Sequence, residues 1–232
     1  MSSSPASRAR PPVLLLLPML AWFGVVLGCG LLAGELLQSA ERANGPTPID
    51  SSITSWMVTH RTQGVTAVAR VLSVVGSQVV LAPVAGLAVA VLIGRRRFVA
   101  ALFLAAAWAG AIGLYGVTKH FVQRMRPPAD IRLVHVSASS FPSGHATQSL
   151  ATFVSLAALV AVAIAHVRST ATIAVALGLA AGVGWSRVYL GVHWSTDVVG
   201  GWLMGAAWVS AVLWLERRAP ATAGRHGSGG PS

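Results

Sequence analysis

Long apolar runs separated by short basic segments make up most of this chain. Six runs stand out, at 13–37, 71–93, 98–117, 146–165, 171–190 and 198–215. A helix crosses a bilayer with about 20 mostly apolar residues, within a range of about 17–25. Each run therefore predicts a spanning helix. The first follows Arg8 and Arg10, as a signal peptide would. It exceeds the usual apolar core of about 7–15 residues, so it predicts an anchor that stays. The fifth run carries Ser186 and Arg187 near its end. Failure of that helix to insert would leave an odd number of spans.

The basic residues between the runs orient the bundle. Arg8 and Arg10, Arg95 to Arg97, Arg168, and Arg217, Arg218 and Arg225 all fall on one side of a six-span layout. The positive-inside rule makes that side cytoplasmic. Segments 38–70, 118–145 and 191–197 then face outward. The predicted organisation is a cytoplasmic segment 1–12, one six-helix membrane domain over 13–218, and a disordered cytoplasmic tail at 219–232. The tail is rich in Gly, Ala, Ser and Pro. Segment 38–70 is polar, with Gly45-Pro46 and Pro48 as turn signals. Residues 51–57 read either as a short interfacial helix or as an irregular loop. Trp56, Trp194, Trp202 and Trp214 are expected near the membrane interfaces.

Composition strengthens the membrane reading. The 232 residues are 54% hydrophobic and 10% charged, with mean hydropathy +0.68. Soluble domains carry about 25% charged residues. The net charge is +11, and the cations lie between apolar runs. Membrane lipids rather than nucleic acid are the expected partners, with Arg95 to Arg97 against anionic headgroups. Cys29 is the only cysteine. It excludes an intramolecular disulfide and a cysteine metal cluster. It is expected to be a buried thiol, with a lipoprotein-type box at Val26-Leu27-Gly28-Cys29 as the alternative.

Three polar clusters interrupt this apolar background, all in the outer segments. The first is Lys119-His120-Phe121-Val122-Gln123-Arg124-Met125-Arg126-Pro127. The second is Phe141-Pro142-Ser143-Gly144-His145. The third runs from Ser186-Arg187 to His193-Trp194-Ser195-Thr196-Asp197. Lys119 is the single lysine among 17 basic residues. Lys119, Arg126 and Arg187 lie at the ends of apolar helices, where fixed charge is costly and usually functional. Arg offers planar bidentate donors and Lys a compact charge, so the three could bind a tetrahedral anion. They could also stabilise charge on equatorial oxygens during phosphoryl transfer. Ser143 and Gly144 precede a helix, whose N-terminal amides favour anions. His193 and Asp197, four apart, would share a helix face. The carboxylate would then fix the imidazole tautomer and leave one nitrogen free as nucleophile or base. His145 could act as the acid on a leaving oxygen. His120, Arg124, Asp130, Arg132 and His135 read as solvated loop groups, with an entry for a headgroup as the alternative.

Together the clusters resemble the signature of the type-2 phosphatidic acid phosphatase superfamily. That signature is Lys, six residues, Arg-Pro; then Pro-Ser-Gly-His; then Ser-Arg, five residues, His, three residues, Asp. Every specified position is filled with the right spacing over 119–197. The resemblance implies an all-α helical bundle with its core helices around the site. It implies that His193 attacks phosphorus to form a phosphohistidine and that Asp197 orients it. His145 would protonate the leaving group and later activate water. Lys119, Arg126, Arg187, Ser143 and the Gly144 amide would bind phosphate oxygens. No metal and no cofactor are implied. The expected activity is removal of phosphate from a lipid phosphate or diphosphate at the outer face, with undecaprenyl diphosphate first. Phosphatidic acid or phosphatidylglycerophosphate is the alternative. A vanadium-dependent haloperoxidase would use a similar site, but those proteins are mostly larger and soluble. A non-enzymatic transporter or scaffold would be expected to have lost one of His193, Asp197 or His145. Oligomeric state is not legible.

Overall fold

The structure is a computed structural model that describes residues 13–44, 46–136, 138–163 and 169–218. The expectations for segment 1–12, Arg168 and the tail lie outside those residues. Among them the chain forms eight α-helices and one 3-10 turn, and no strand. Helix α1 spans Val13–Asn44, running past its apolar stretch to take in Glu41.

Segment 46–62 is ordered. Helix α2, Pro48–Thr59, settles the two readings of residues 51–57 in favour of a helix. Thr47 caps it, its hydroxyl accepting from the Asp50 amide at 3.3 Å, and Pro48 opens it with a pre-set φ.

The second apolar run is not one helix. It divides between α3, Gln63–Val75, and α4, Gln78–Gly94, whose axes differ by 42°. The break falls at Gly76-Ser77. The Ser77 hydroxyl donates to the Val74 carbonyl at 2.6 Å, and the Ser77 backbone is extended at the start of α4. At Gly76 a Cβ would stand 2.2 Å from Val183. The bend lets α3 lie against the later helix that carries Val183.

Four further helices complete the bundle: α5 at Phe98–Phe121, α6 at Gly144–Ala163, α7 at Ser169–Tyr189 and α8 at Ser195–Arg218. Among the described residues, α5, Leu17–Ser39 of α1, Thr170–Tyr189 of α7 and α8 are long and apolar enough to span a membrane. The bent pair α3–α4 makes a fifth if it counts as one span. Helix α6 occupies the sixth place of the expected bundle without meeting that measure. Its Thr147, Gln148, Ser149, Thr152 and Ser155 are polar but buried, so it is wrapped by other helices rather than by lipid. It packs on α4, α5, α7 and α8. The main core joins Val26 of α1, Phe103 and Leu114 of α5, Leu150 of α6, Ala180 of α7 and Trp208 of α8. Outward positions such as Leu20, Leu32, Val79, Leu87, Phe98 and Leu203 are exposed. Such a continuous apolar surface suits a lipid environment rather than water.

Small residues set how closely α6 and α8 approach. A Cβ on Gly201 would stand 2.8 Å from the Ser143 carbonyl oxygen, and one on Gly205 would stand 2.6 Å from that of Thr147. Backbone cannot yield as a side-chain tip can. Gly205→Ala is expected to part the two helices and lower stability by about 1–3 kcal/mol. A fall in the thermal unfolding midpoint in detergent is the readout; an unchanged midpoint would mean that the contact is slack.

One expectation about exposure is corrected. Cys29 is exposed on α1, not buried; its position faces outward on an apolar helix, where a thiol meets hydrocarbon rather than core. Trp56 and Trp214 are exposed, but Trp194 is buried and its indole N–H donates to the Met125 carbonyl at 3.0 Å. Trp202 is half-buried and bonds the Ala180 carbonyl at 3.2 Å. Both indole N–H groups are satisfied by main-chain carbonyls, that of Trp194 in the segment after α5 and that of Trp202 in α7.

Candidate active site

Alternating helix direction brings four chemistry-bearing ends together. Lys119 ends α5, Gly144 opens α6, Arg187 lies in the last turn of α7, and Asp197 in the first turn of α8. Segment 122–143 crosses the same end. The turn between α7 and α8 depends on Gly191, whose φ is +71° and where a Cβ would stand 2.6 Å from the Ile131 carbonyl oxygen. Only glycine holds that conformation cheaply at so close an approach. The turn delivers His193 into the interior, 2% exposed. His193 thus precedes α8 rather than sharing a helix face with Asp197, but the two still meet.

The geometry around His193 assigns its tautomer. Nε2 lies 3.2 Å from Nη1 of Arg126. Arginine can only donate, so Nε2 carries the lone pair and the proton sits on Nδ1. Nδ1 stands 3.4 Å from Oδ2 of Asp197, within ion-pair range but short of hydrogen-bond geometry. Burial holds the imidazole well below its ordinary pKa, and the charges of Lys119, Arg126, Arg187 and His145 add to the effect. A neutral ring with an unprotonated Nε2 is the form a nucleophile needs. The same four groups therefore share one electrostatic neighbourhood with His193. His145 is half-buried at the start of α6.

The cations are arranged over this neighbourhood. Lys119 Nζ and Arg126 Nη2 converge on the Ser139 carbonyl, and Lys119 also reaches that of Ser140 at 3.2 Å. Arg126 donates further to the carbonyls of Ala138, at 2.6 Å, and Val192. Burial brings Arg126 down to about 10, opposed by Asp197 and assisted by Arg132, so it stays charged at neutral pH. Arg187 is buried and donates to the Ser73 hydroxyl from the bent α3, while its Nε has no partner. The Ser143 hydroxyl is likewise buried without a partner, and the Ser143 amide donates to the Asp197 main-chain carbonyl at 3.0 Å. The unpaired Ser143 hydroxyl and Arg187 Nε leave buried donors free for an anion.

One central residue is corrected. Arg124, expected to be a solvated loop charge, is 1% exposed. Its Nε donates to Glu41 of α1 at 2.9 Å and its Nη2 to Asp50 of α2 at 2.9 Å. Its Nη1 donates to Asp197 at 2.6 Å and to the Thr196 hydroxyl at 2.7 Å. One planar fork thus ties three carboxylates from three helices. Asp50 also accepts from the Ser195 hydroxyl at 2.6 Å, the Thr196 amide at 2.9 Å and the Thr196 hydroxyl at 2.6 Å. Burial pushes the Asp50 carboxyl up, but these donors and Arg124 outweigh it and hold it below its ordinary value. The remaining oxygen of Asp197, Oδ2, accepts from the Trp194 amide at 2.9 Å and from the Ser140 hydroxyl. The Asp197 carboxylate is itself held on every side. His120, Asp130 and His135 are exposed as expected, and Arg132 is half-buried.

Such a constellation places a buried imidazole among converging cations at one end of a helical bundle. The description PAP2 superfamily matches residues 98–220, more than half of the chain, and the chain belongs to that family. Phosphatidylglycerophosphatase B of Bacillus subtilis is 37% identical over 93 residues, 38% of this chain and 44% of that protein. Its Escherichia coli K12 namesake is 41% identical over 80 residues, 34% of this chain and 30% of that protein. The chain thus aligns with less than half the length of these relatives. A Sulfolobus acidocaldarius undecaprenyl-diphosphatase is 61% identical over 28 residues, 12% of this chain and 13% of that protein. The crystal structure of a transmembrane PAP2 type phosphatidylglycerolphosphate phosphatase from Bacillus subtilis superimposes with a TM-score of 0.75 at 26% identity. The match covers 84% of this chain and 98% of that one. The chain is a membrane protein of this all-helical fold.

Proposed function

We propose that this protein is a metal-independent phosphatase that removes a terminal phosphate from a membrane lipid through a phosphohistidine on His193. The observation that carries the reading is the Arg126 guanidinium 3.2 Å from the unprotonated Nε2 of a buried, neutral His193. A phosphate held by Arg126, Lys119 and Arg187 would present phosphorus to that nitrogen. Nε2 would form the N–P bond as the bond to the leaving oxygen breaks, and His145 would give that oxygen a proton. His145 would then take a proton from water as its oxygen attacks phosphorus, freeing phosphate and restoring His193. The Ser143 hydroxyl and the Gly144 amide would bind oxygens of the same phosphate. Asp197 would hold the Nδ1 proton throughout.

The topology rests on the basic loops: the termini cytoplasmic and the site on the outer face of the cell membrane. Names of the relatives support phosphatidylglycerophosphate as substrate. The short Sulfolobus match and an outward site support undecaprenyl diphosphate, a carrier released outside as the diphosphate. Phosphate release from purified protein in detergent with EDTA tests the reading. Undecaprenyl diphosphate, phosphatidylglycerophosphate, diacylglycerol pyrophosphate and phosphatidic acid are offered side by side. Release that survives EDTA is expected, and its ranking names the lipid. Release that EDTA abolishes, or none from any of the four, would overturn the reading.

A further inference from the structure

Beside the anion site opens a cleft of about 550 Å³, lined by Lys119, His120, Gln123, Arg126, Arg132 and Ser139 among others. No lining residue is acidic. Arg124 also lines it, but its charge is spent on three carboxylates. Arg132 differs. Its Nε is anchored at 2.7 Å on the carbonyl of Pro127, the residue that follows Arg126. The next residue, Leu133, is pinned by its amide to the Leu190 carbonyl at the end of α7, at 3.0 Å. Its position is therefore built from both sides, and its two terminal nitrogens make no bond among the described residues. No carboxylate there pairs with it, although Asp130 is two residues away. It stands close enough to Arg126 to act on that guanidinium as a like charge. Uncompensated like charges beside one cleft are a cost unless an anion completes them.

We propose that Arg132 and this cleft bind a second phosphate of the substrate, adjacent to the one held at Arg126. The proposal deepens the lipid-phosphatase reading and rests on it for the identity of the lipid. It commits the substrate class to lipids bearing two phosphates, whether a diphosphate or two phosphates separated by a glycerol, rather than a lone monoester. One phosphate sits over His193; the other faces the free end of the Arg132 fork, with His120 and Gln123 at the rim.

Binding separates this proposal from the catalytic one. Methylphosphonate, methylenediphosphonate and propane-1,3-diyl bisphosphate are titrated by calorimetry into wild type and Arg132→Ala in detergent. At least one two-phosphate probe is expected to bind wild type at least tenfold tighter than methylphosphonate, and the spacing preferred distinguishes diphosphates from glycerol-linked phosphates. Arg132→Ala is expected to weaken that probe by roughly ten- to a hundredfold, the range for a charge-assisted contact. Lys in place of Arg132 should restore part of it. His135→Ala, exposed in the same segment and outside the cleft, serves as control. In turnover, the kcat/KM ratio of the two-phosphate lipid to phosphatidic acid should fall by the same factor, mainly through KM. No two-phosphate preference in wild type, or a preference that survives Arg132→Ala, would overturn the proposal. An inactive protein that keeps the preference would sink the catalytic reading and leave this one standing.

Discussion

His193→Ala should lose lipid phosphate hydrolysis by a factor on the order of 10⁴–10⁶, the range seen when a covalent nucleophile is removed. The fold should survive the change. The His193 side chain makes one contact with Arg126 at 3.2 Å and one with Asp197 at 3.4 Å, and neither partner depends on it. Arg126 keeps three carbonyls, and Asp197 keeps Arg124, Ser140 and the Trp194 amide. Thermal midpoints of wild type and variant should therefore agree while turnover separates. Rapid quench with ³²P-labelled lipid should trap an acid-labile, base-stable phosphoprotein in wild type and none in the variant. A variant that keeps more than about one per cent of activity would show that another group attacks phosphorus. His145→Ala offers a contrast: it should slow both halves of the cycle and still allow some trapped phosphoenzyme, because the nucleophile remains.

The features legible in the sequence share a physical origin. Apolar length is a strong signal because hydrocarbon tolerates no unpaired backbone. Cations in such a background stand out because they are expensive. Lys119, Arg126 and Arg187 were visible on those grounds alone, and His193 by its spacing to Asp197. The missed features depend on partners far apart in the chain. Nothing near Arg124 announces that Glu41, Asp50 and Asp197 converge on it, since they lie 83, 74 and 73 positions away in the chain. A usable signal did exist: only six acidic residues occur in the chain, and a buried cluster is a good reason to retain so few. The bend at Gly76-Ser77 joins a local Gly-Ser break to the packing of Gly76 on Val183 of α7, and that long-range contact is not written in the local sequence.

Arg124→Met should damage the protein more broadly than loss of the nucleophile. Removing one member of a buried ion pair costs about 3–5 kcal/mol, because the partner charge stays behind unpaired. Here three carboxylates would stay behind. Asp50 still has Ser195 and Thr196 as donors, and Asp197 still has Ser140 and the Trp194 amide, but Glu41 has no other ion-pair partner among the described residues. The expected result is a thermal midpoint lowered by many degrees and activity reduced at least a hundredfold, since α1, α2 and α8 lose their common tie and Asp197 loses its rigid support. Arg124→Lys should recover little, because a single ammonium cannot span three carboxylates that a planar fork reaches at 2.6–2.9 Å. The decisive comparison is the double variant Arg124→Met with Glu41→Gln. Removing the unpaired charge should return part of the stability, while activity should stay low because Asp197 is still unsupported. Stability and activity recovering together would mean that Arg124 matters only for folding. An Arg124→Met protein as stable and active as wild type would mean that the network is not formed in the membrane.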